Sequence, residues 1–254
     1  MNPENEALNE AGQFIHAGQF LEAERLLLAL LASRAQLPDV WFLLGAARHQ
    51  SGNAAGALLA FAEARRLAPG HRQASSAHAS VLFDLERYEE ALSEFRALVD
   101  DFPGDVRLHV NLGIVLERIG RPEEALKAYE QSLAWVPGFA AALNNRAIVL
   151  AALGRGEEAL AAYDELLAAH PGSADYHFNR AELLHGLGRF DESLAATDRA
   201  LRLDDRHVNA LMQKALNLSV LGRMDEAAKL FAQARAIDVQ KFRQFRNPYD
   251  TVIR

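Results

Sequence analysis

Residues 38–71 read PDVWFLLGAARHQSGNAAGALLAFAEARRLAPGH, and the skeleton of this stretch returns along the chain at a step of 34 residues. Pro69, Pro103, Pro137 and Pro171 keep that spacing. So do Gly18, Gly52, Gly120, Gly154, Gly188 and Gly222, with Glu86 where one more glycine would fall. A third register runs Ala23, Ala57, Ala91, Ala125, Ala159 and Ala227, with Ser193 in the gap. Four residues further on stand Phe61, Phe95, Tyr129, Tyr163 and Phe231, with Leu27 and Thr197 as the exceptions. A fixed period of this size marks a stack of similar units, each unable to bury its apolar face alone. With Pro69 at place 32, seven units begin at Glu4, Pro38, Arg72, Val106, Ala140, Ala174 and Val208 and end at Lys241.

Each unit reads as two helices. The glycine at place 15 takes the left-handed conformation that closes a helix. The run after it, as in Gly120 to Leu126, puts glutamates in the first turn of a second helix, where they complement the helix dipole. Proline at place 32 ends that helix because it has no amide hydrogen to donate. Small residues at place 8 (Ala11, Gly45, Ala79, Gly113, Ala147, Ala181, Ala215) and at place 20 let two helices approach closely, and the aromatic residue at place 24 fills the neighbouring gap. No strand pattern competes, so the expected fold is all-α.

Composition narrows the function. The 254 residues carry a formal charge of −7, which argues against a protein that lives on phosphate backbones, since those are held by clustered Lys and Arg. Without cysteine there is no disulfide, thiolate metal site or thiol nucleophile. The first ten residues, MNPENEALNE, have neither a basic nor an apolar leader region, and no apolar run approaches the roughly 20 residues that span a bilayer. The expectation is a cytoplasmic protein with no nucleic acid, membrane or cofactor among its partners. No phosphate-binding loop, GxSxG or HExxH occurs, and Gly186-Leu187-Gly188 is an inter-helix turn. His177 and His185 lie eight apart, too far along a helix for one shared ion.

Trp41, Leu44, Gly45, Ala57, Phe61, Ala64 and Pro69 together carry the signature of one unit, and in this the chain resembles the tetratricopeptide repeat family over nearly its whole length. The resemblance implies a right-handed superhelical solenoid of antiparallel helix pairs over residues 4–241. It also implies that first helices line a concave groove that usually holds a peptide or another protein. Departures fall in the third unit, where Ser75, His78 and Glu86 replace two bulky residues and glycine, and in the sixth, where Asp205 replaces proline. Residues 242–254 place Phe242, Phe245 and Tyr249 as a cap over the last unit or as an interaction tail. A self-assembly contact through that end is a further possibility.

Along the first helix, places 2, 5, 6, 9, 12 and 13 share one arc, which the resemblance puts on the concave side. Place 6 reads Asn9, Leu43, Ala77, Asn111, Asn145, Asn179 and Gln213, so four consecutive units present a carboxamide. A carboxamide both donates and accepts hydrogen bonds, so such a row suits the amides of an extended peptide. It is similar to the asparagine ladder in the recruiting arm of O-linked N-acetylglucosamine transferases. That makes the substrate-recruiting arm of a larger transferase the alternative to a non-catalytic binding scaffold. Asparagine is also a common filler at this place in the family, which gives the row no binding role at all. Around the row lie Val110, Ile114, Asn144, Ile148, Phe178, Met212 and Leu216 at places 5 and 9, candidate pockets for ligand side chains. Arg107 at place 2, with Arg146, Arg180 and Lys214 at place 7, gives the later half a basic tint. Residues 1–127 hold 12 basic and 18 acidic side chains against 15 and 16 in the remainder, so an acidic peptide is expected to prefer the later units. The competing reading pairs those cations with Glu182, Asp175 or Asp198.

Overall fold

The computed structural model describes residues 3–33 and 36–244. The helices are α1 (Pro3–His16), α2 (Phe20–Ser33), α3 (Pro38–Gln50), α4 (Ala54–Leu67), α5 (Arg72–Asp84), α6 (Tyr88–Asp101), α7 (Val106–Arg118) and α8 (Pro122–Trp135). They continue as α9 (Ala140–Ala152), α10 (Gly156–Ala169), α11 (Ala174–Gly186), α12 (Phe190–Leu203), α13 (Val208–Val220), α14 (Met224–Ile237) and α15 (Val239–Gln244). Two compact units divide the chain, one running to Trp135 and the other starting at Val136. Within each, a first helix folds back on its second helix, and each hairpin stacks on the next. Both units are stretches of all-α helix-pair solenoid.

Local chemistry accounts for the hairpins. Six of the turn glycines have φ between 74° and 86°, and Glu86 takes the same region at 59° because the hydrogen bonds around it match those of its glycine counterparts. The second helix then starts with a clamp invisible in the repeat pattern. Arg87, Arg155, Arg189 and Arg223, each following the turn residue, grip Glu90, Glu158, Glu192 and Glu226 three positions on, with N–O distances of 2.6–2.8 Å. Those hydrogen bonds hold all four carboxyl groups below the usual glutamate range.

The core follows the predicted registers. Ala57, Ala91, Ala125 and Ala159 are fully enclosed, and Phe61, Phe95, Tyr129 and Tyr163 are buried. The place-8 glycines make room for the place-24 rings: a Cβ on Gly45 would lie 2.5 Å from Phe61 Cε1, and one on Gly113 would lie 2.6 Å from Tyr129 Cζ. Where Ser193 replaces alanine at place 20, its hydroxyl donates to the Ala181 carbonyl at 2.6 Å and accepts from Asn217 at 2.7 Å. At the end of the second unit, Phe242 of α15 packs on the cluster of Val208, Leu211, Met212 and Ala234, edge-on to Phe231. Phe245 and Tyr249 lie outside the described residues. Among the described residues no helix is long and apolar enough to cross a membrane.

Candidate functional site

In the first unit, the first-helix face carries two hollows. One, of about 580 Å³, lies between α1 and α3, where Leu8, Phe42 and Leu43 make an apolar floor and Asn9, Gln13 and Asp39 supply polar groups. Phe42 is held against His71, whose ring centroid is 5.2 Å away. His71 in turn accepts a hydrogen bond from the Ala74 amide through Nδ1 and reaches Asp39 through Nε2 at 3.2 Å. The second hollow, of about 210 Å³, lies between α5 and α7. Phe83, Phe95, Ile114 and Val115 form its apolar surface, with Ser80, Asp84 and Asn111 around them. Asn111 and Ile114, the place-6 and place-9 residues of α7, are thus brought together at this hollow. Val110 does not join them: it is 6% exposed and belongs to the core. Arg107 is exposed near the start of α7.

In the second unit the carboxamides are joined to one another. Asn179 Nδ2 donates to Asn144 Oδ1 at 3.0 Å, and Asn144 Nδ2 donates to Asn145 Oδ1 at 3.3 Å. This chain leaves an acceptor at Asn179 and donors at Asn145, the complement of a peptide's amide hydrogen and carbonyl. Ile148 is 44% exposed beside it on α9. Phe178, half-buried, stands against His207 at 5.5 Å, which reaches Asp175 through Nε2 and accepts from the Ala210 amide. The Asp–Phe–His arrangement is thus the same as Asp39–Phe42–His71, at the same places of its repeat.

Three sequence expectations need correction. Gln213 is 3% exposed, so the open carboxamide row ends at Asn179; its Nε2 is enclosed with no hydrogen-bond acceptor. Met212 and Leu216 are likewise buried and are core rather than pockets. The place-7 cations do not edge the first-helix face. Arg146 meets Glu165 at 2.7 Å, Arg180 meets Asp164 at 2.8 Å and Lys214 meets Asp198 at 2.6 Å, all on second helices. Desolvating a lone cation is costly, and a carboxylate on the adjacent helix lies within reach of each stem. Of the paired readings, Asp198 is matched, while Glu182 and Asp175 are not the partners.

The histidines have separate duties. His177 reaches the Pro171 carbonyl at 3.3 Å, and burial lowers its pKa. His185 reaches Asn217 Oδ1 at 2.6 Å. Among the described residues no group of three metal-ligating side chains is assembled.

The family model for the tetratricopeptide repeat matches residues 14–72, 76–142, 120–174, 144–208 and 178–240. The chain belongs to the tetratricopeptide repeat family. Such repeats are typically protein–protein interaction modules and are generally non-catalytic. No curated protein matches the sequence. Among solved structures, this tetratricopeptide repeat chain is similar to a tetratricopeptide repeat protein from Parabacteroides merdae, with 18% identity, 94% of this chain and 96% of that chain covered, and a TM-score of 0.72. It is also similar to pilF of Pseudomonas aeruginosa, with 19% identity, 82% and 96% covered, and a TM-score of 0.66. A third is YrrB, described as a tetratricopeptide repeat protein with an unusual peptide-binding site, with 20% identity, 73% and 95% covered, and a TM-score of 0.55. At these identities the likeness concerns the fold.

Proposed function

We propose that the protein is a cytoplasmic, non-catalytic scaffold whose first-helix faces bind an extended segment of a partner protein. The observation that carries this reading is the α5–α7 hollow, which combines an apolar floor with the Asn111 carboxamide and is open to solvent. An apolar ligand side chain fills such a floor while the carboxamide meets the adjacent peptide amide. The remaining donor of Asn145 and acceptor of Asn179, on half-buried side chains, offer the same service in the second unit. The proposed contact residues are Asn111 and Arg107 on α7 in the first unit and, separately, Asn144, Asn145, Ile148, Phe178 and Asn179 on α9 and α11 in the second. Acidity of the guest is not part of the proposal, because Arg146, Arg180 and Lys214 are already neutralised by carboxylates of the chain. The peptide-binding site named for YrrB is consistent with this role for the shared architecture.

The linked asparagines also favour a second reading, in which the repeats recruit substrates for a separate transferase. A stable catalytic subunit co-purifying with the chain supports it; a partner bound without any such subunit removes it. For the first reading, Asn111, Asn145 and Asn179 are changed together to alanine and a peptide library is panned against both proteins. Recovery of binders falls at least tenfold if the carboxamides hold the guest's backbone, and equal recovery rejects the proposal.

A further inference from the structure

A second hollow-bearing region lies on the other side of the first unit, among second helices. It has a volume of about 540 Å³, in the range of sites that receive small ligands and side chains. Second helices α4 and α6 form its walls, and Ser75 of α5 lies at its base. Ser75 occupies place 4 of its repeat. One repeat earlier that place holds Trp41, packed on the cluster around Leu31, Leu44 and Ala60. One repeat later it holds His109, 8% exposed, and in α9 and α13 it holds the buried Leu143 and Leu211. Five of the other repeats hold an indole, an imidazole or an isobutyl group at this place and the first repeat holds Ala7, whereas here the place is left to a hydroxymethyl group.

The walls are preorganised. Arg65 meets Glu94 at 2.9 Å, and His78 Nδ1 lies 2.9 Å from the other Glu94 oxygen. Burial alone would raise the Glu94 carboxyl, but the hydrogen bonds from His78 and Arg65 outweigh it and hold the group below the ordinary glutamate range. Arg66 is satisfied by Glu63 at 2.8 Å. Asp101, exposed on the α6 wall, is the lining charge that has no ion-pair partner among the described residues. An unmatched carboxylate beside an unfilled aromatic seat calls for a ligand that brings both an aromatic ring and a cation.

We infer that this hollow is a second docking site, which takes an aromatic side chain of a partner protein with a basic residue next to it. The ring occupies the place of Trp41 over Ser75, and the cation meets Asp101. The site sits among second helices, apart from the proposed peptide faces, so either reading can fail without the other.

Tryptamine is the test probe, titrated into the full isotope-labelled chain, with neutral indole and anionic indole-3-acetate as comparators. The expected result is chemical-shift change centred on the Ser75, Ser93 and Ala97 amides, strongest for tryptamine and weakest for indole-3-acetate. Asp101→Asn brings tryptamine down to the level of indole. Ser75→Trp fills the seat from within and abolishes the shifts; should that variant fail to fold, Ser75→Leu, carrying the residue found at this place in α9 and α13, does the same. Shifts that are absent, that spread over the chain, that survive filling of the seat, or that are equal for the three probes overturn the inference.

Discussion

Replacing Glu86 by glycine isolates the conformational cost carried by one turn. Glu86 has φ of 59°, in the region that L-residues avoid, where the neighbouring repeats place glycine at 74° to 86°. Its amide donates to the Phe83 carbonyl at 2.9 Å and the Arg87 amide donates to Leu82 at 2.9 Å, the pattern that Gly120 and Arg121 make with Glu117 and Leu116. The motif imposes the angle, and the side chain, which is exposed, adds nothing that glycine lacks. A left-handed residue other than glycine costs about 1–2 kcal/mol, and part of the relief is returned because glycine gains about 0.5–1 kcal/mol of freedom in the unfolded chain. Glu86→Gly is expected to stabilise the α5–α6 hairpin by about 0.5–1 kcal/mol, slowing amide exchange there about two- to fivefold. Local exchange is the right assay because repeat arrays open in parts. Glu86→Ala keeps the Cβ and is expected to show no slowing. Equal protection in the glycine and alanine variants, or faster exchange with glycine, refutes the reasoning.

Ala125→Leu inserts three carbons where Ala125 is fully enclosed and is expected to cost about 1–3 kcal/mol, read as a fall of several degrees in Tm; an unchanged Tm contradicts the packing. The Glu94 carboxyl is held low in the folded state, so its stabilisation is present above the ordinary glutamate pKa of 4.5 and is lost as pH falls through the depressed value. Glu94→Gln is expected to flatten the loss of stability below that point in acid titrations followed by circular dichroism. Glu117, raised chiefly by burial although Tyr129 donates to it, has the opposite sign: its contribution is full below 4.5 and is lost as pH rises through the raised value, so Glu117→Gln is expected to remove a decline on that side.

The sequence was most legible where a backbone rule forces the residue. Gly52 and Gly120 sit at positive φ, and Gly45 yields its space to Phe61, so the period and helix ends follow from the chain itself. Glu86 shows the same rule by exception. The site was legible in part: Asn111 and Ile114 flank a hollow, and Asn145 and Asn179 are partly exposed. Gln213 was not, because it shares place 6 with the half-buried Asn145 and Asn179 and yet is only 3% exposed, a difference that its place in the repeat does not carry. Arg146 and Arg180 misled for a related reason, since a long cation chooses among carboxylates on adjacent helices and the winners, Glu165 and Asp164, sit on second helices. The recurrence of Asp39–Phe42–His71 as Asp175–Phe178–His207 was present in the letters; reading Asp, Phe and His together at places 2, 5 and 34 would have found it.

The most direct test of the binding role maps a peptide selected from a random library onto the backbone amides of the full chain. The account predicts perturbation of first-helix residues, with Asn111 and Ile114 in the first unit and Asn145 and Phe178 in the second among the largest. Perturbation confined to second helices, with those four amides unmoved, contradicts it.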